Sequence, residues 1–327
     1  MGVAEWSSTA FHDLVTGWVA GECARDGIVL TGDRDQPHCR PWSSTISYET
    51  SAGRMWFKVN GPGTWHEPPL VAALSNLVPQ LVPELVAVDL DRGWSLMRDA
   101  GPVIRSTTTP DELWSTWERV LVRYADAQVK LATAVPVLLE TGVPDLRPSK
   151  LPDAARGLAE TLQGKPVAEG GLSESERDSL GARLPTYDDW CAELDRSGIP
   201  VSIQHDDLHS SNVCMDGSVE QARIIDWGDA SVAHPLATML CTLNSIAFHA
   251  ECEIDDPLVR RVRDAYLEPF TTYADRAELV RYVDLARRTG CVSRAVSYVA
   301  ALDGEPVSTH AEYDFPVRAW LLDLLED

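Results

Sequence analysis

The chain has 327 residues, 44% hydrophobic and 24% charged, the composition of an ordinary soluble globular protein long enough for two domains or one large two-lobed fold. Its formal net charge of -22 sets an unfavourable field against nucleic acid or an anionic membrane and a favourable one for a cationic small molecule. The seven cysteines form no C-x-x-C pair, no apolar run is long enough to span a bilayer and no secretory pattern opens the chain, so a cytoplasmic protein without zinc, disulfides or an evident obligate protein partner is expected.

Residues 5–25 space Phe11, Leu14, Val15, Trp18 and Val19 as the apolar face of a helix, with Ser7, Ser8 or Thr9 as N-cap. To about residue 60 the pattern changes to β-branched and aromatic runs, GIVLTG, STISYET and RMWFKVN, the last two joined by SAG as a hairpin loop. HEPPLVAALSNLVP follows as a helix, and LVAVDLDRGWSLMRD as two strands about an Asp-Arg-Gly turn. Past Gly101 and Pro102 the strand pattern stops. Thr109 before Pro110 opens a helix whose Leu113, Trp117, Leu121 and Tyr124 belong in a core. Helices near 152–163 and 173–196 follow, then a strand, a loop and a hairpin turning at Asp216-Gly217, and mainly helix after Pro235. The predicted class is α+β: an N-terminal antiparallel sheet lobe with a leading helix, residues 1–98, joined near 97–101 to a larger, mainly helical C-terminal lobe, residues 99–327.

The chemistry is concentrated in SIQHDDLHSSNVCMDGSVEQARIIDWGD, residues 202–229. Phosphoryl transfer from a nucleotide needs a carboxylate to accept or orient the nucleophile's proton, oxygen ligands for magnesium, and a cation on the phosphates that are not transferred. Asp207 and Asn212 stand five apart, the spacing from catalytic Asp to metal-binding Asn in H-R-D-x-x-x-x-N, and Asp226 in IIDWGD takes the place of the Asp of D-F-G. Upstream, MWFKV puts Lys58 on a strand and Glu67 opens the next helix, so the pieces come in kinase order.

These residues resemble the aminoglycoside phosphotransferase and choline kinase superfamily, whose loop H-G-D-L-H-x-x-N is followed by I-D-[WF]-[EG]-[DS]. His205, Asp207, Leu208, His209 and Asn212 match the first part, and Asp226, Trp227 and Asp229 the second. The resemblance implies a bilobal protein-kinase-like fold with ATP, GTP not being excluded, and Mg2+ as cofactors. It makes Asp207 the catalytic base or orienter, gives magnesium to Asn212 and Asp226, sets Lys58 on the α and β phosphates and pairs Glu67 with it. His205 would brace the loop, and main chain near Leu96 to Arg98, around Met97, would meet adenine.

The chain departs from the pattern at three places. Asp206 replaces the usual glycine; it would raise the pKa of Asp207, attract a cation, or point to solvent. His234 stands where an aspartate precedes the proline of the following helix. No G-x-G-x-x-G precedes Lys58, so Ser43, Ser44 and Thr45 of RPWSSTISY are the candidate phosphate cover, the alternative being a polar hairpin tip. Without an A-P-E segment, protein substrates are not expected. The leading reading is therefore a small-molecule O-phosphotransferase acting on an aminoglycoside-like or other antibiotic. A metabolic kinase for an amino alcohol, amino acid or sugar, and a non-catalytic nucleotide-binding regulator, are its alternatives. The acidic segments ECEIDD (Glu251, Glu253, Asp255, Asp256) and LLED at the C-terminus would receive substrate amines or simply be solvated.

Overall fold

The computed structural model describes residues 2–302 and 316–326. A short helix α1 (Val3–Trp6) precedes α2 (Thr9–Arg25), whose N-cap is Ser8: its hydroxyl accepts the Phe11 N–H at 3.2 Å. Phe11, Val15 and Val19 are buried as expected, whereas Leu14 is 53% exposed and does not join that face. The five strands β1 (Leu30–Arg40), β2 (Ser43–Thr50), β3 (Gly53–Asn60), β4 (Leu85–Asp89) and β5 (Trp94–Arg98) form one antiparallel sheet in the order β1-β2-β3-β5-β4. α2 covers one face, where Phe57 and Trp94 meet edge to face at 5.4 Å and Trp18 packs on Trp94 at 5.5 Å, contacts of about 1 kcal/mol each beyond their area.

β1 differs from the strand expected at GIVLTG. It begins at Leu30 and runs through GDRDQPHCR, because an edge strand needs only one inward-looking ladder, tolerates Pro37 and hides little of its polar sequence. Register then decides what faces the interlobe cleft. In β3 the core-facing Met55, Phe57 and Val59 alternate with Trp56, Lys58 and Asn60; opposite them on β2, Ser43 pairs with Asn60, Ser44 with Val59 and Thr45 with Lys58. Helix α3 (Glu67–Leu77) crosses from β3 to β4.

Beyond β5 the chain is helical: α4 (Ile104–Thr107), α5 (Pro110–Leu131), α6 (Val135–Leu139), α7 (Leu151–Gln163), α8 (Glu174–Asp195), α9 (Met239–Ala250), α10 (Pro257–Leu267), α11 (Arg276–Ala301) and a last helix at 316–322. A Thr109–Glu112 capping box starts α5, as the sequence indicates, and Trp117, Leu121 and Tyr124 are at most 1% exposed. Two small ladders interrupt the helices: β6 (Ser202–Gln204) with β9 (Ser231–Ala233), and β7 (Val213–Cys214) with β8 (Arg223–Ile224). The second is not a tight hairpin. Residues 215–222 separate its strands, because a Ser218–Gln221 capping box draws the chain into a 3-10 turn after Gly217. The architecture is thus α+β and bilobal, an antiparallel sheet lobe followed by a helical one. Among the described residues no helix is long and apolar enough to cross a membrane, and all seven cysteines are free.

Candidate active site

The alternation that sends Phe57 into the core points Lys58 at the cleft. Its Nζ donates to Glu67 Oε1 at 2.7 Å, lies 2.6 Å from Glu67 Oε2, and donates to Asp226 Oδ1 at 2.6 Å. Burial works against the ammonium, but Asp226 and then Glu67 outweigh it and hold the pKa of Lys58 above its ordinary value. Glu67, itself 3% exposed, is held further by Asn60 Nδ2 at 2.6 Å and the Trp227 N–H at 3.0 Å, so a buried carboxylate is fully hydrogen-bonded. Asp226 adopts the left-handed backbone conformation (φ 64°, ψ 61°), which an aspartate tolerates better than most residues. Lys58 holds its carboxyl below the usual range, while 45% side-chain exposure leaves it accessible from the cleft.

The candidate catalytic loop hangs between β6 and β7. His205 donates from Nε2 to the Ile225 carbonyl at 2.8 Å and accepts the Asp207 N–H on Nδ1 at 3.4 Å, which fixes one neutral tautomer. Burial pushes its pKa down to about 4. It braces the loop against the segment that leads from β8 to Asp226, and the Tyr124 hydroxyl accepts its backbone N–H at 3.0 Å. Asn212 Nδ2 donates to the Asp207 carbonyl at 2.9 Å and reaches Asp207 Oδ2 at 3.4 Å; the Asn212 carbonyl accepts the Ile225 N–H at 3.0 Å. These bonds bring Asp207, Asn212 and Asp226 into one neighbourhood. With its amide nitrogen turned to Asp207, Asn212 keeps its side-chain oxygen as an acceptor.

Asp207 is held from two sides. His209 Nε2 lies 3.4 Å from Oδ2, and Arg294 of α11, on the far side of the lobe in sequence, lies 3.4 Å from Oδ1. Burial alone would favour the neutral acid, but His209 and then Arg294 keep the group well below the ordinary carboxylate range. Sequence reasoning missed Arg294 because it lies outside any motif. The available signal was a charge among Cys291, Val292 and Ala295, all buried, since an arginine in an apolar stripe needs a partner.

Two cavities meet at Lys58, Glu67 and Asp226. The larger, about 550 Å³, runs between the lobes past Ser43, Thr45, Met97 and Gly101; the smaller, about 170 Å³, holds Asp207, Asp229, Arg294, Tyr298, Trp42 and Ser43. Ser43 and Thr45 are therefore wall residues, whereas Ser44 is turned to the opposite face, donating to the His38 carbonyl at 2.9 Å and accepting from Gln36 Nε2 at 2.7 Å. Asn212 lines neither cavity. The peptide groups of β5 are engaged by β3 and β4 on its two sides, so the wall beyond Met97 is built by Asp99, Ala100 and Gly101 rather than by Leu96. His38, which no motif marks, lines both cavities.

Asp206 does not point to solvent. It is 3% exposed in a left-handed conformation (φ 66°), accepts from Gln204 Nε2 at 2.9 Å, and has no partner for Oδ2 among the described residues. Burial pushes its pKa up to about 7 against the pull of Arg294. His234 replaces the expected aspartate without losing the helix entry: its Nδ1 accepts the Leu236 N–H at 3.4 Å, the same service a capping carboxylate gives. Glu251, Glu253, Asp255 and Asp256 lie outside both cavities, as do the described residues of LLED; Asp327 lies outside the described residues.

Several solved structures share the fold. The GDP complex of aminoglycoside 2'-phosphotransferase-IIIa is 18% identical with a TM-score of 0.60, covering 93% of this chain and 98% of that one. The macrolide 2'-phosphotransferase of Brachybacterium faecium is 16% identical with a TM-score of 0.57, over 92% and 97%. Choline kinase from Cryptosporidium parvum is 11% identical with a TM-score of 0.59, over 94% and 95%. No protein of curated function matches the chain by sequence. Residues 67–279, from the carboxylate that meets Lys58 to the start of α11, match the model described as the phosphotransferase enzyme family; the chain belongs to that family and is a phosphotransferase.

Proposed function

We propose that the protein moves the γ-phosphoryl group of a nucleoside triphosphate, ATP or GTP, to a hydroxyl of a small molecule, with magnesium. The observation that carries this is the convergence of Lys58, Asp226 and Asp207 on the wall of one 170 Å³ cavity that opens into a larger interlobe cleft. In this reading residues 1–98 hold the nucleotide and residues 99–327 supply the catalytic loop and acceptor site. Lys58 neutralises the α and β phosphates, Glu67 holds it in place, Ser43 and Thr45 face the phosphates, and the cleft at Met97 takes the base.

The residues suit magnesium. Asp226 has an open carboxylate oxygen and Asn212 a side-chain oxygen, both hard ligands. Magnesium keeps several waters and takes phosphate oxygens as well, so one or two protein oxygens suffice. When bound, it would spread the charge that develops on the transferred phosphoryl group. Asp207 orients the acceptor hydroxyl. As bonding to phosphorus acidifies that hydroxyl, Asp207 accepts its proton. The seven free cysteines suit the reducing cytoplasm, where the nucleotide is plentiful.

The acceptor reading is an aminoglycoside-like or other antibiotic, or a metabolite such as an amino alcohol, because the fold is shared with enzymes of both kinds. The net charge of -22 favours a cationic one. The test is transfer from γ-labelled ATP and GTP to a panel of aminoglycosides, macrolides, nucleoside antibiotics, amino alcohols and sugars, with Asp207→Asn as control. Transfer that Asp207→Asn lowers by about 100-fold or more supports the reading. Tight nucleotide binding with no transfer to any acceptor in a cell extract favours the regulatory alternative.

A further inference from the structure

Arg294 is 5% exposed in the interior of α11, an element outside the catalytic motif. Its guanidinium reaches two carboxylates at once, Nη1 at 3.1 Å from Asp229 Oδ2 and Nη2 at 3.4 Å from Asp207 Oδ1, and lies over the Tyr298 ring at 5.3 Å. We infer that Arg294 is the positioning residue for Asp207, fixing the plane of the carboxylate that faces the acceptor hydroxyl. The inference rests on the phosphoryl-transfer reading above.

The two oxygens of Asp207 are held by different parts of the protein. Asn212 and His209, both within the loop, reach only Oδ2. Oδ1 is met by Arg294. With Arg294 absent the loop would still close through the Asn212 bond to the Asp207 carbonyl, but the carboxylate would be tethered by one oxygen and free to rotate. The displacement needed to spoil an in-line approach is about 1 Å and costs about 100-fold in rate.

Arginine suits this place better than lysine. Two carboxylates, Asp207 and Asp229, lie within 3.4 Å of the guanidinium. A planar fork can hold both in fixed directions, whereas an ammonium offers one point charge and no common plane. Through Asp229 the same guanidinium ties the segment after Asp226 to α11, so the magnesium-facing and hydroxyl-facing carboxylates are referenced to one rigid helix.

The test compares Arg294→Lys and Arg294→Ala with the unaltered protein, reading kcat and KM for transfer, nucleotide hydrolysis with water as acceptor, and nucleotide Kd. The expected result is a fall in kcat of about 100-fold for Arg294→Ala and about 10-fold for Arg294→Lys, with nucleotide Kd within twofold. Guanidinium ion at a non-denaturing concentration should restore part of kcat to Arg294→Ala, because the vacated volume opens on the smaller cavity, and should restore none to Arg294→Ala combined with Asp207→Asn. Unchanged kcat in Arg294→Lys overturns the inference even should Arg294→Ala fail to fold. So does a loss that follows nucleotide Kd or unfolding without rescue. An unaltered protein that neither transfers nor hydrolyses sinks the functional reading and this role together; an active protein indifferent to both substitutions sinks the role alone.

Discussion

Replacing Asp206 by asparagine removes a titration while keeping shape and the acceptor for Gln204, so the pH dependence of stability should change in a calculable way. In the folded protein burial pushes the group up to about 7 from its ordinary 3.8; between those values the folded state binds more protons than the unfolded one. Stability conferred by protonated Asp206 is therefore fully present below pH 4 and lost as pH rises through 7, with a slope of about 1.4 kcal/mol per pH unit in that window. Between pH 5 and pH 8 the integrated change is about 2.6 kcal/mol. The unaltered protein should lose that much relative to Asp206→Asn, all other groups being common to both. Urea unfolding followed by fluorescence of the eleven tryptophans at pH 5, 6, 7 and 8 measures the gap. A gap constant to within about 0.5 kcal/mol across that range would show that Asp206 is ionised throughout and would refute the assignment of a buried, proton-retaining carboxyl.

Three other perturbations test particular contacts. A Cβ on Gly63 would stand 1.6 Å from the Ala300 carbonyl oxygen, where the turn before Thr64 presses on the end of α11; Gly63→Ala should cost about 2 kcal/mol in thermal or urea unfolding, and unchanged stability would mean that this contact between the lobes does not exist. Lys58→Met strips the cation from buried Glu67 and from Asp226, and should lower stability by about 3 kcal/mol as well as weaken nucleotide binding in calorimetry; a variant of unchanged stability would contradict the three-way ion pair. Ser43→Ala should raise the nucleotide KM about fivefold, the equivalent of about 1 kcal/mol for one hydrogen bond, whereas Ser44→Ala should leave KM alone and lower stability by a similar amount, because its hydroxyl serves Gln36 and His38. The opposite assignment of the two effects would show that the register of β2 is misread.

What the sequence made legible follows from the range of the interactions. Lys58, Glu67, Asp207 and Asp226 could be picked out because a strand's twofold alternation and a short loop's spacing are local rules, and four residues obeying them in order specify one geometry. The same alternation contains the answer for Ser44, which pairs with core-facing Val59 while its neighbours pair with Asn60 and Lys58; the serines read as one run only until the register is known. β1 was illegible for the reverse reason, since an edge strand of charged residues carries no apolar alternation to detect. Arg294 is the harder case. Nothing near it in sequence announces a role, and the departure that bears on it, Asp206 in place of glycine, gave three readings with no means of choosing. In the folded chain the two both adjoin Asp207: Asp206 precedes it in the loop and Arg294 meets its Oδ1. A left-handed position that would ordinarily call for glycine can hold Asp206 because aspartate tolerates that conformation and Gln204 takes one of its oxygens, while the charge of Arg294 pulls against the burial that keeps the carboxyl protonated. The local motif names Asp207 and Asp229 but not the cation that meets both, because that cation comes from a helix position 65 residues beyond Asp229 and only the folded chain brings it there.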